Sequence, residues 1–130
     1  MMMPKKLKLA LIVAQPSPLR DALRALVTTM PQVEVVAETG SSAALAEMHN
    51  KFQLDLVLLD AGVQDEDVWQ ALAMVKRECP HTKGCVLVEG DEQKRKAEAA
   101  GADLVLYKGF PAADLAKILE GLLAQISNED

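Results

Sequence analysis

Two residues stand where a buried segment would hand a reactive side chain to solvent. Asp60 directly follows the apolar run Leu54–Leu59, and Lys108 directly follows Leu104–Tyr107. A carboxylate and an ammonium at the mouths of two strands can make an ion pair. They can also make a phosphoryl site in which the aspartate is the nucleophile and the lysine steadies the added charge. Taken singly, Asp60 also suits a turn and Lys108 a solvated surface. The remaining reactive side chains form no set. His49 and His81 lie far apart with no ligands around them, and Cys79 and Cys85 lack metal-ligand partners at useful spacing, so both cysteines read as plain thiols. The acidic run Asp65-Glu66-Asp67 and the stretch Asp91–Lys96 read as solvated surface. Trp69 reads as partly exposed, because Val68 and Leu72 already define the inward stripe of its helix.

The elements that must position these residues follow from the hydrophobic pattern. Leu7–Val13, Val33–Ala37, Leu54–Leu59, Cys85–Val88 and Leu104–Tyr107 are nearly continuous apolar runs, the mark of strands buried on both faces. Helical periodicity fills the gaps: Leu19, Leu23, Leu26, Val27 and Met30; Leu45 and Met48; Val68, Leu72, Val75 and Cys79; and Leu115, Ile118, Leu119, Leu122, Leu123 and Ile126. Ser17 before Pro18, Ser41 and Asp91 are expected as N-caps, Pro111 as the opening of the last helix, and Gly101 as a left-handed helix end. The pattern is βα repeated along the chain. It implies an α/β, doubly wound, five-stranded parallel sheet in the order 2-1-3-4-5, a flavodoxin-like or CheY-like fold. One domain is expected over residues 1–130, with its core at about 7–126 and loose ends at Met1–Pro4 and Ser127–Asp130. Sites in such sheets lie beyond the carboxyl ends of the strands, here Ala14–Gln15, Asp60–Ala61, Val88–Glu89 and Lys108–Gly109.

Composition sets the outer bounds. Half of the 130 residues are apolar, enough for a core, and the net charge of −5 argues against a nucleic-acid surface, since the basic cluster Lys5, Lys6 and Lys8 is short. The run Leu9–Ala14 is too short to span a bilayer or to form a signal-peptide core, so no membrane association and a cytoplasmic location are expected.

At Leu11-Ile12-Val13, Leu56-Val57-Leu58-Leu59-Asp60, Ala99-Ala100-Gly101-Ala102-Asp103 and Leu106-Tyr107-Lys108, the chain resembles the receiver domains of bacterial two-component response regulators. Pro16–Val27 and Val33–Ala37 are most similar to receivers of LuxR-type transcription regulators. The resemblance implies that Asp60 is the phosphoacceptor position and Lys108 the residue contacting the phosphoryl group. The departures are as informative. Receivers carry two adjacent acids after the first strand, where this chain has Ala14 and Gln15. The hydroxyl position after strand four is Val88, the aromatic switch of strand five is Val105, and the small residue beside the acceptor is Glu89. The loop Ala61-Gly62-Val63-Gln64-Asp65-Glu66-Asp67 lacks the family's Met-Pro. Mg²⁺ needs oxygen ligands in near-octahedral geometry, so its binding is expected to be weak or lost, with no other cofactor. Valine donates no hydrogen bond, and its branched side chain has no swing.

The reading is an atypical, degenerate receiver. It is a non-enzymatic protein-interaction module in phosphorelay-type signalling, with impaired Mg²⁺-dependent Asp phosphorylation. Its expected partners are a sensor kinase, an output domain or another regulator, with a homodimer through the helix 4, strand 5 and helix 5 face as one assembly. Two alternatives stay open: a working phosphoacceptor that recruits the ion through Asp60, Glu89 and water, and a flavodoxin-like small-ligand binder. For the second, no glycine-rich phosphate loop follows the first strand, where Gln15-Pro16-Ser17-Pro18 stands. Restoring acids through Ala14→Asp and Gln15→Asp is expected to improve Mg²⁺ binding if the backbone frame is intact.

Overall fold

Each apolar run becomes a strand of one parallel sheet. The computed structural model describes residues 7–62 and 67–127, without the side chains of residues 126 and 127. The expectations placed on Met1–Pro4, Lys5, Lys6, Val63-Gln64-Asp65-Glu66, the side chain of Ile126 and residues 128–130 lie outside what it describes. In chain order the elements are β1 (Lys8–Val13), α1 (Pro18–Thr28), β2 (Val33–Thr39), α2 (Ser42–Lys51), β3 (Leu56–Asp60), α3 (Val68–Glu78), β4 (Lys83–Val88), α4 (Asp91–Ala99), β5 (Leu104–Tyr107) and α5 (Ala112–Ser127). The five strands lie in the order β2-β1-β3-β4-β5, and every neighbouring pair is parallel. This is the expected doubly wound order.

Because successive side chains of a strand point to opposite faces, the buried strands feed two separate cores. Ile12, Leu56, Leu58, Cys85 and Leu87 pack with Leu23 and Val27 of α1 and Leu115, Leu119 and Leu123 of α5. Leu11, Val57, Leu59, Val86 and Val88 pack with Leu45 of α2, Val68, Leu72 and Val75 of α3, and Ala97 of α4. Trp69 is half-buried against the second core, as its position beside the inward stripe implies. Cys85 is buried, which pushes its thiol up to about 12, and Cys79 is half-buried; both are free thiols. His49 meets Glu78 at 3.2 Å, while His81 is exposed.

Several boundaries move, for reasons of hydrogen bonding rather than hydropathy. β3 begins at Leu56, and just ahead of it Asp55 joins the neighbouring strands, its Oδ2 accepting the Leu9 N–H at 2.8 Å and its backbone carbonyl the Lys83 N–H at 2.9 Å. β2 runs on to Thr39, paired with Val13, and β4 starts earlier, at Lys83, paired with Leu56. Ser17 and Ser41 cap α1 and α2, each hydroxyl accepting a backbone N–H at 3.1 Å, with Pro18 in the first helical turn. Asp91 does not cap α4. Gly90 holds the N-cap position and Asp91 is the first helical residue, its carboxylate turned to Tyr107. Pro111 opens α5, its carbonyl accepting the Leu115 N–H at 3.0 Å, and the helix continues through Ser127, which was expected to be loose.

Gly101 ends the α4 segment at φ +93° as expected, a left-handed conformation in which a Cβ is strained. Gly101→Ala is therefore expected to lower stability by about 1 kcal/mol, read from the denaturation midpoint, with no change at the Asp60 edge. Close by, Lys76 fastens the lower rim of the sheet. Its ammonium reaches the Thr82 carbonyl at 2.6 Å and Asp103 Oδ2 at 2.7 Å, and the same carboxylate oxygen accepts the Gly84 N–H at 2.8 Å.

Candidate functional site

The parallel register places the carboxyl ends of β3, β4 and β5 along one edge. Asp60 pairs with Leu87 and Val88 with Tyr107, and the ladder continues past the strands through Ala61 N–H to the Leu87 carbonyl at 2.9 Å and Lys108 N–H to the Val88 carbonyl at 2.8 Å. Asp60, Glu89 and Lys108 are thereby delivered to the same spot by backbone hydrogen bonds.

Their side chains close on one another. Lys108 Nζ lies 2.7 Å from Asp60 Oδ1 and 2.9 Å from Glu89 Oε1, so a single ammonium bridges two carboxylates. The Asp60 side chain is only 10% exposed, Lys108 25% and Glu89 65%, which makes the Asp60 arm the sheltered one. Gly62 donates its N–H to Asp60 Oδ1 at 2.8 Å. A Cβ at Gly62 would fall 2.9 Å from Lys108 Nζ, so glycine leaves the room the ammonium fills. Burial pulls the Lys108 pKa down, but its bonds to Asp60 and Glu89 outweigh that and hold it above the ordinary lysine value. The Lys108 ammonium thus keeps its charge at neutral pH.

Gln93, in the first turn of α4, adds a neutral brace. Its Oε1 accepts the Glu89 N–H at 2.7 Å and its Nε2 lies 3.5 Å from the Ala61 carbonyl, joining the β4–α4 loop to the segment after Asp60. On the outer side Tyr107 donates its hydroxyl to Asp91, which raises the phenol's pKa, and Lys94 Nζ stands 6.0 Å from the ring centroid. Two side-chain links, Lys108–Glu89 and Tyr107–Asp91, therefore stitch the end of β5 to the start of α4. Neither was expected from the sequence.

The end of β1 contributes no acid. Ala14 is fully buried in the α1/α5 core, and its carbonyl accepts from Arg20 Nη1 at 3.2 Å. Gln15 is exposed and turns its amide to the Gly40 carbonyl at 3.2 Å. Arg20 and Arg24 hold Glu38, at 3.0 and 3.3 Å. Burial would raise the Glu38 carboxyl, but these two partners outweigh it and keep it below the usual carboxylate range. Val88 is fully buried in the α2/α3/α4 core and Val105 half-buried against it, so neither side chain faces the Asp60 edge as a polar group.

Sequence kinship now bears on this geometry. Over 100 residues, 75% of the chain, it is 31% identical to the response regulator protein VraR of Staphylococcus aureus strain N315. With VraR of Staphylococcus saprophyticus the identity is 27% over 102 residues. The chain is a response-regulator receiver domain. This receiver spans about half the length of the curated relatives it matches, 47% for the S. aureus protein, and no family model matches its sequence. Its fold is also that of the CheY-like receiver from Methanospirillum hungatei, at TM-score 0.79 and 22% identity over 96% of this chain and all of the other. A LuxR-family response regulator from Aurantimonas superposes at TM-score 0.78 and 20% identity, over 93% of this chain and 87% of the other.

The described residues of the receiver do not fit a Mg²⁺ ion. Among the described residues no group of three or more His, Cys, Asp or Glu side chains is placed to hold a metal. The two positions after β1 are a core methyl and an amide bonded elsewhere, and the Asp60 carboxylate is already paired with Lys108.

Proposed function

We propose that this receiver serves two-component signalling as a protein-interaction module whose switching face is held in one arrangement by an internal ion pair, without Mg²⁺-dependent phosphorylation of Asp60. The observation that carries this reading is the Lys108 ammonium bridging Asp60 and Glu89, at 2.7 and 2.9 Å. In a switching receiver, phosphorylation biases two arrangements of such a face. Here the polar and aromatic parts of a switch are replaced by Val88 and Val105, while β5 and α4 are already tied together. Partners are then proteins: a sensor kinase, an output domain, another regulator, or a second copy docked through α4, β5 and α5. The domain needs no catalytic activity for this role, and a cytoplasmic place suits it; among the described residues no helix is long and apolar enough to cross a membrane.

A working phosphoacceptor assembled from Asp60, Glu89 and water is disfavoured because Glu89 spends its carboxylate on Lys108. Two cavities among the described residues give a small-ligand role at this edge no support. One of about 470 Å³ is lined by residues such as Lys8, Met30 and Leu123, and another of about 620 Å³ follows β2, both away from the Asp60 edge.

An NMR titration with Mg²⁺ followed by beryllofluoride, a stable aspartyl-phosphate mimic, tests the reading. Resonances of Asp60, Gly62 and Lys108 are expected to stay in place; localised shifts there at physiological Mg²⁺ would overturn it. Hydrogen exchange without any phosphodonor tests the positional role: Lys108→Ala is expected to speed exchange at Gly109 and Phe110. Exchange unchanged in both Lys108→Ala and Asp60→Asn would make the site a vestige.

A further inference from the structure

At the amino end of the sheet, opposite the Asp60 edge, three elements leave a gap between them. The α1–β2 turn there is pinned: the Met30 N–H bonds to the Val27 carbonyl at 2.9 Å, the Val33 N–H to the Met30 carbonyl at 3.1 Å, and the Lys8 N–H to the Gln32 carbonyl at 2.7 Å. The second half of α5 passes beside this turn without filling the space, and a cavity of about 470 Å³ remains. Its walls are apolar: Met30 and Leu123 are buried in the α1/α5 core, and Val33 packs against that core. Its charged lining is of both signs. Lys8 of β1 and Glu120 of α5 border the same cavity without pairing, and neither side chain has an ion pair or hydrogen bond among the described residues. Half-buried Arg20, Lys76 and Lys108 each meet a carboxylate, whereas half-buried Lys8 meets none.

We propose that this cavity binds a free apolar α-amino acid, whose carboxylate meets Lys8, whose ammonium meets Glu120 and whose side chain lies against Met30, Val33 and Leu123. Ligand pockets commonly have volumes of about 300–1,000 Å³, apolar walls and a few placed polar groups. Charge selects the class of ligand. An occupant carrying only an anion leaves Glu120 facing a like charge, and one carrying only a cation does the same to Lys8. A zwitterion satisfies both, and a charge-assisted hydrogen bond beside apolar walls is stronger than the same bond in open water. Bound there, the amino acid ties the second half of α5 to the start of β1 and to the α1–β2 turn. The site shares no residue with the Asp60–Lys108 pair, so neither reading depends on the other.

Free L-leucine titrated into the methyl-labelled protein tests this by NMR. Saturable shifts are expected at the Met30, Val33 and Leu123 methyls at roughly millimolar leucine, with the Gly62 amide unmoved. Both charges are required: N-acetyl-leucine, which lacks the ammonium, and leucinamide, which lacks the carboxylate, are expected to bind at least about tenfold more weakly. Lys8→Gln and Glu120→Gln are expected to weaken leucine by a similar factor. Glu120 is exposed, so its variant keeps the test open even where Lys8→Gln folds poorly. Ala124→Phe, a larger side chain at an exposed position of the lining, is expected to abolish binding. The proposal is overturned by an absence of saturable shifts, by shifts centred on Gly62 instead, or by equal affinity in wild type and Glu120→Gln. N-acetyl-leucine binding as well as leucine overturns it also, since the cavity then reads only apolar bulk. Two other occupants would do the same. Shifts of these methyls with protein concentration alone would make the cavity a contact between copies of the chain, and nuclear Overhauser contacts from the Met1–Met3 methyls to Leu123 would seat the chain's own start in it.

Discussion

Incubated with acetyl phosphate and Mg²⁺, the protein is expected to keep its unmodified mass. Phosphoryl transfer to a carboxylate brings two anions together, and catalysis of such steps is almost entirely positioning and charge stabilisation. Removing a single positioned donor from a developing anion costs about 10²–10³ in rate in a well-studied case. After β1 stand Ala14 and Gln15, neither of them an acid, and Val88 offers no hydroxyl. The Lys108 ammonium is divided between Asp60 and Glu89. Glu89 also brings a second carboxylate to the ammonium that Asp60 uses. Intact-mass spectrometry reads the outcome directly. A major species with one added phosphoryl group, absent from Asp60→Asn, would show that the counter-charge comes from somewhere the geometry does not reveal.

The parts of this fold that were legible in the sequence are those governed by burial. Leu56–Leu59 and Val86–Val88 are buried on both faces, so they read as continuous apolar runs, and the Ser17-Pro18 and Ser41 helix starts are local events fixed by one hydroxyl each. Asp60 and Lys108 could be placed at one edge because both directly follow such runs. What the sequence hid depends on register and on side-chain direction. The pairing of Val88 with Tyr107 sets the residues that follow them, Glu89 and Lys108, side by side, and no hydropathy pattern carries that one-residue alignment. Glu89 was expected beside the acceptor position; that its carboxylate meets Lys108 there was visible only in three dimensions. Asp91 was read as a cap because its type and place suit one, but Tyr107 competes for the carboxylate and Gly90 takes the cap position. Gln93 gave no signal, since a glutamine in a charged helix is ordinarily surface.

Ala14→Asp is expected to destabilise the protein by about 2–4 kcal/mol, against less than about 0.5 kcal/mol for Gln15→Asp, as read from denaturation midpoints at neutral pH. Seen in sequence, the two substitutions look like equivalent ways to restore an acid. Gln15 is exposed, and a carboxylate there stays in water. Ala14 has no exposed surface and packs in the α1/α5 core with Ile12, Leu23 and Leu115, so a carboxylate in this frame is stripped of water. The nearest cation, Arg20, is spoken for: its Nε is 3.0 Å from Glu38 Oε1 and its Nη1 is 3.2 Å from the Ala14 carbonyl. Moving the guanidinium to the new acid would strip Glu38 of one of its two arginines. The pH dependence separates charge from size. Burial raises the folded-state pKa of the introduced acid above its unfolded value, so its penalty grows as pH rises past the unfolded pKa and shrinks as pH falls below it. Ala14→Asn, equal in size and never charged, should show no such trend. If Ala14→Asp and Ala14→Asn lose the same stability at every pH, the cost is steric. If instead Mg²⁺ restores the stability of Ala14→Asp, the new carboxylate has turned out of the core toward the strand end. The absorption of this position into hydrophobic packing would then be reversible by a single residue, a matter of one side chain rather than of the frame that Arg20 and Glu38 have built around it.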